Sequence, residues 1–167
     1  MPQQILGLDI GSYSVKVAEF TRTLRSYELV GFYEQPIVRT SPAEEGVAAE
    51  AKAIQILFEE YNLKGDFIYT ALPGQMTAFR TIDLPFSNFK KVDSTIEFEM
   101  ENYLPLPIEE VVVDYKILSA QKNSSKILVA YARKGELIKF LNLFAGVELD
   151  PRFVGAEPVE LTNLQNV

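Results

Sequence analysis

Apolar residues run almost unbroken from Ile5 to Ile10, the pattern of a buried strand, and Gly11-Ser12 then marks a turn. From Ser14 to Thr21 the period becomes two, with Val15, Val17 and Glu19 on one face and Lys16, Ala18 and Phe20 on the other. Leu24 to Ser26 gives a second turn, and Tyr27 to Pro36 reads as a third strand of an antiparallel meander. The period then turns helical. Ser41 can cap, Pro42 fits the first helical position and Glu44 closes a capping box. Val47, Ala51, Ile54, Leu57, Phe58 and Tyr61 follow at helical spacing, and Asn62 to Gly65 ends the helix. Asp66 to Ala71 reads as a short strand that can return parallel beside the first, with Leu72-Pro73-Gly74 as a breaker.

The pattern restarts with a strand over Met76 to Leu84 and a turn over Pro85 to Ser87, with Ser87 as the expected cap. Phe89, Val92, Ile96, Met100 and Tyr103 then form one stripe of an amphipathic helix, with Lys90, Lys91, Glu97 and Glu101 outside it. Leu104-Pro105-Leu106-Pro107 stops the helix, because each proline pushes its predecessor out of the helical region. Val111 to Ser119 and Lys126 to Arg133 read as a hairpin around the polar turn Gln121 to Ser125. A helix follows with Leu137, Leu141 and Phe144 inward and Gly146 just past its end. Phe153 to Ala156 is a short strand, and Glu157 to Gln165 begins another helix. The order β-β-β-α-β, β-α-β-β-α, β-α predicts two α/β units, the second inserted in the first.

Composition narrows the chemistry. The chain has 167 residues, 47% of them apolar, which suits one domain or two small ones. Its 23 acidic against 16 basic residues give a formal charge of −7, which disfavours nucleic acid and anionic lipid as partners. With no cysteine and no histidine, disulfides, Ser-His and Cys-His nucleophiles and the common zinc sites are excluded. No uncharged apolar stretch approaches the ~18 residues that a membrane span needs, and no signal peptide is expected.

The first turn carries the candidate chemistry. In ILGLDIGSYSVKVAEF, Gly11 lets the backbone approach a ligand, and the turn N–H groups with the Ser12 and Ser14 hydroxyls can donate to phosphate oxygens. Lys16 adds a point charge, and Asp9 can hold Mg²⁺ through water. The same residues also make ordinary hairpin chemistry, with Asp9 accepting backbone N–H groups and Lys16 in solvent.

With these stretches in view, the chain resembles the PilM family, actin-like proteins of type IV pilus assembly that are similar to the cell-division protein FtsA. ILGLDIGSYSVKVAEF resembles the family's phosphate hairpin. The block IDLPFSNFKKVDSTIEFEMENYLPLPIEEVVVDYKIL resembles its most distinctive segment, and FVGAEPVELTNL the strand and helix that close its first half. The resemblance implies an α/β, actin-like (ribonuclease H-like) subdomain 1A over residues 1–75 plus 150–167. A β-α-β-β-α subdomain 1C would be inserted over residues 76–149. It further implies that Asp9, Gly11, Ser12, Tyr13, Ser14 and Lys16 face the phosphates of ATP and its Mg²⁺, with Asp9 as the metal residue through water. Glu157 would stand near where actin relatives position the attacking water. Such sites need a second half, absent from this sequence, so no useful ATP affinity and no enzyme activity are expected of this chain itself.

The implied function is a cytoplasmic scaffold, peripheral at the inner membrane, that grips the N-terminal cytoplasmic peptide of the membrane protein PilN beside other platform proteins. The groove would lie between the first subdomain and the inserted one, with Leu104 to Ile108 as its lining or alternatively as a rigid turn. Self-association is a further expected state. The rivals are the GspL-type cytoplasmic domain of type II secretion and the N-terminal half of a sugar kinase-like phosphotransferase. Against the kinase, the inserted unit has no cluster of sugar-binding polar residues.

Overall fold

The computed structural model describes residues 2–39, 47–145, 147 and 149–163. The helix-start residues Ser41, Pro42 and Glu44, the stop at Gly146 and positions 164–165 lie outside the described residues. In chain order the elements are β1 (Gln3–Ile10), β2 (Ser14–Arg22), β3 (Tyr27–Pro36), α1 (Val47–Glu60), β4 (Phe67–Leu72), β5 (Ala78–Leu84), α2 (Phe89–Glu101), β6 (Val111–Gln121), β7 (Ser124–Arg133), α3 (Lys134–Ala145), β8 (Pro151–Ala156) and α4 (Glu157–Asn163). They form two compact units, one of Met1–Pro73 with Ile138–Val167 and one of Gly74–Leu137. The second boundary therefore falls inside α3, earlier than the expected 149.

In the first unit five strands run in the order β3-β2-β1-β4-β8. The meander pairs antiparallel, β4 returns parallel beside β1, and β8 adds parallel to β4. Strand alternation puts Leu6, Leu8, Ile10, Val15, Val17, Ile68 and Leu72 on one face, and all of them are buried. Helix α1 packs on β2 and β3. Its buried stripe is Ala49, Ala53, Ile54 and Leu57. The expected Val47 and Tyr61 lie outside it, at 41% and 44% exposure. The small alanines let the helix approach the sheet, and Tyr61 instead packs on Tyr33, ring centroids 4.7 Å apart. The parallel pair is fastened at both ends. The Gln4 N–H donates to the Asp66 carboxylate and the Asp66 N–H to the Gln4 carbonyl, each at 2.8 Å. Buried Thr70 donates its hydroxyl to the Leu8 carbonyl at 3.1 Å.

One irregularity shapes this sheet. Arg22 pairs with Tyr27 and Phe20 with Leu29, but Glu19 pairs with Gly31, so Val30 is an extra, bulged residue. Gly31 makes room there, since a Cβ on it would collide with the Tyr33 ring. That ring reaches back so that the Tyr33 hydroxyl donates to Glu19 at 2.9 Å.

The second unit is a three-stranded antiparallel sheet, β5-β7-β6, covered on one face by α2. Ile82, Leu84, Val92, Ile96, Met100, Ile127 and Val129 form its core. The helix start is one residue later than the sequence suggests. The Asn88 side chain, not Ser87, accepts from the Lys91 N–H. Buried Ser125 ties β7 to the turn before α2 by donating to the Phe86 carbonyl at 2.6 Å. At the ends of the α2 stripe, Phe89 and Tyr103 are exposed. In α3 the buried set is Phe140, Leu143 and Phe144. The inward face is rotated from the expected one, Leu141 being exposed, because Phe140 and Phe144 pack edge-on one turn apart at 5.5 Å.

The bulge contact has a pH signature. The bond to the Glu19 carboxylate, aided by burial, raises the Tyr33 pKa above its ordinary 10.0. A raised folded pKa means stability fully present below pH 10.0 and lost as pH rises through the folded value. The stability difference between wild type and Tyr33→Phe should therefore be constant from neutral pH to about 9 and shrink above 10. Urea unfolding across that range measures it, and a difference indifferent to alkaline pH would contradict this origin.

Candidate functional site

The β1–β2 turn owes its shape to three inward-facing carbonyls. After the last pair, Ile10 with Val15, four residues reverse the chain. The Gly11 N–H donates to the Ser14 carbonyl at 3.1 Å. A Cβ on Gly11 would lie 3.2 Å from that same oxygen, a tight approach, so glycine also eases the closing of the turn. The Tyr13 carbonyl accepts from the Ile37 N–H at 2.8 Å. The Ser12 carbonyl accepts from the Arg39 guanidinium at 2.9 Å. The amides of Ser12 and Tyr13 meet no backbone acceptor among the described residues. Two adjacent amides without a backbone partner can begin an anion-binding concavity.

The side chains divide into two groups. Tyr13 projects into solvent at 87% exposure, and Ser12 is exposed beside it. Lys16 and Asp9 are cross-strand partners, Nζ to Oδ2 3.4 Å apart, with side-chain exposures of 35% and 60%. At that exposure the pair contributes little stability and both ends stay available to a ligand. Ser14 behaves otherwise. It is buried, and its hydroxyl donates to Glu34 at 2.6 Å, so this proton is not offered to a phosphate as the sequence suggests. Glu34 also stands opposite Lys16 across the sheet. Two carboxylates therefore border one ammonium, and an incoming phosphate needs further positive charge. Among the described residues no group of three or more acidic side chains is placed to hold a metal ion. Asp9 suits a magnesium ion that arrives on phosphate oxygens and keeps several waters.

Sequence reasoning missed Glu34, Arg39 and Glu50, the last holding Arg39 Nη2 at 3.4 Å from the start of α1. The signal for Glu34 was register, and the bulge conceals it. Counted without a break from Arg22–Tyr27, Lys16 would face Tyr33 instead. Glu157, at the start of α4, is exposed.

A second feature lies wholly in the second unit. Met76, Ala78, Leu104, Leu106, Val111 and Tyr131 line an open groove of about 450 Å³, with Gln75, Arg133 and Glu136 at its margins. The end of α2 builds its wall. Tyr103 and Leu104 both donate to the Met100 carbonyl, which turns the chain, and the Arg80 guanidinium stacks on the Tyr103 ring 4.1 Å away. An apolar floor with a polar margin suits an extended apolar segment whose backbone groups meet the rim. Among the described residues no helix is long and apolar enough to cross a membrane.

The family model for the type IV pilus assembly protein PilM matches residues 7–162. Among solved structures, a PilM-PilN type IV pilus biogenesis complex matches with a TM-score of 0.77 and 28% identity, over 92% of this chain and 47% of that one. The cytoplasmic domain of EpsL, an inner membrane component of the type II secretion system of Vibrio cholerae, matches with a TM-score of 0.55 and 11% identity, over 91% and 57% of the two chains. At that identity the second likeness is one of fold. The chain thus has the α/β, actin-like fold that the resemblance implied, and it spans about half the length of the matching chain in the pilus complex.

The Ser14–Glu34 bond is part of the scaffold of the turn. Ser14→Ala should cost about 1 kcal/mol in urea unfolding, since Glu34 is exposed and recovers water as its partner. An unchanged midpoint would mean that the bond does not hold the hairpin.

Proposed function

This chain belongs to the PilM family of type IV pilus assembly proteins, and on that premise we propose that it captures the N-terminal cytoplasmic tail of a PilN-like membrane protein. It would act as a cytoplasmic scaffold, held at the inner membrane through that partner and in company with other platform proteins. The observation that carries the reading is the likeness to a PilM-PilN complex over 92% of the chain. The groove beside Leu104 and Leu106 supports it by presenting apolar surface, although it lies within the second unit and not between the two subdomains as the resemblance implies. An extended tail pairs its backbone with polar rim groups and places alternate side chains on the apolar floor.

The same reading gives the first turn a place. In a longer chain that supplies the second half of the site, the Ser12 and Tyr13 amides with Lys16 would hold the phosphates of ATP, and Asp9 its magnesium through water. The role proposed for the turn is one of binding. Self-association belongs to the same proposal as a secondary state.

The partner reading is tested by titrating the chain calorimetrically with a synthetic peptide of the tail. Saturable binding is expected, weakened at least about tenfold by Leu106→Asp, which sets a charge on the groove floor. Circular dichroism should be unchanged, Leu106 being half-buried and outside the core cluster. Absence of binding, or equal affinity of the variant, would refute the assignment of this groove.

A further inference from the structure

We propose that Arg39 is a positioning residue that presets the first turn for phosphate oxygens, an inference that rests on the reading of that turn as a phosphate site. A trans peptide carries its C=O and the following N–H on opposite sides. Whatever fixes the Ser12 carbonyl toward one side therefore turns the Tyr13 N–H to the other. The group that does so is the Arg39 guanidinium, donating to that carbonyl at 2.9 Å. The guanidinium is itself held, Nη2 lying 3.4 Å from the Glu50 carboxylate on α1. Arg39 is thus a rigid bridge from helix to turn, using two donors of one planar fork, which the single ammonium of lysine does not reproduce. Next to it the Ile37 N–H fixes the Tyr13 carbonyl in the same sense, so consecutive peptides of the turn are oriented from the chain after β3. Without the bridge, the 12–13 peptide is free to rotate and the amide is no longer preorganised, a cost that appears as lost affinity. Glu50 cancels much of the charge of Arg39, which makes its contribution geometric more than electrostatic.

The test uses the 167-residue chain labelled with ¹⁵N and inorganic pyrophosphate as probe, followed through the amide resonances. Weak saturable shifts at residues 9–16, with a Kd on the order of millimolar as half a site allows, are expected in wild type, and Lys16→Gln should weaken them further. Arg39→Gln should weaken them about tenfold. Arg39→Lys keeps the charge and should lose nearly as much, while Glu50→Gln should give a smaller loss. Wild-type affinity in Arg39→Gln, or full rescue by Arg39→Lys, would overturn the positioning role while leaving the phosphate reading intact. If wild type itself shows no saturable shift, the phosphate reading fails, and the Arg39 role falls with it.

Discussion

Strand β1 lies in the middle of its sheet, so its backbone groups must be satisfied from both sides. A central strand cannot leave N–H and C=O groups unpaired, and β2 and β4 are the two partners that meet this demand. The antiparallel partner follows at once through a four-residue turn. The parallel partner must come back from more than sixty positions away, and the two hydrogen bonds of Asp66 to Gln4 mark where it docks. Everything else in the first unit is arranged around this. Helix α1 is the crossover that a parallel return requires, and β8 extends the sheet on the β4 side. The candidate phosphate turn sits at the end of β1 because that end is where the tight reversal has to be.

The chemistry of the turn follows from the same geometry. Closing it in four residues favours a glycine at position 11 and engages three carbonyls in hydrogen bonds. The bond to the Ser12 carbonyl turns the Tyr13 amide the other way, so the closure of the turn and its free amide share one cause. Lys16 and Asp9 fall opposite each other because they flank the reversal symmetrically. Ser14 shows the limit of reasoning from residue type alone. A serine near a phosphate motif looks like a donor to ligand, yet here its hydroxyl is held by Glu34.

Much of the architecture was legible in the alternation of apolar residues. The meander, the returning strand, the stripe Val92–Ile96–Met100 and the hairpin of β6 and β7 all stand where the pattern places them. The helix faces were less legible. In α1 the expected Ile54 and Leu57 are fully buried, but the stripe's ends Val47 and Tyr61 are exposed and Ala49 and Ala53 join the buried face instead. In α3 Phe140 and Leu143 are buried beside the expected Phe144, while the expected Leu141 is exposed. The site was legible in its residues and illegible in its connections. Asp9, Gly11 and Lys16 are visible as a motif, whereas Glu34 depends on a register that one extra residue shifts, and Arg39 and Glu50 meet only through the fold.

The bulge at Val30 has a consequence outside the site. Strand β3 is the outermost strand of its sheet and carries Tyr27, Leu29, Val30 and Phe32 largely exposed, with no lysine among them. A flat edge of that composition would invite another molecule to add on, strand upon strand, toward fibrils. The inserted residue breaks the regular spacing of the outward hydrogen-bonding groups and twists the strand, and Pro36 withholds an N–H at its far end. A single surplus residue thus shields an otherwise sticky border from runaway polymer growth.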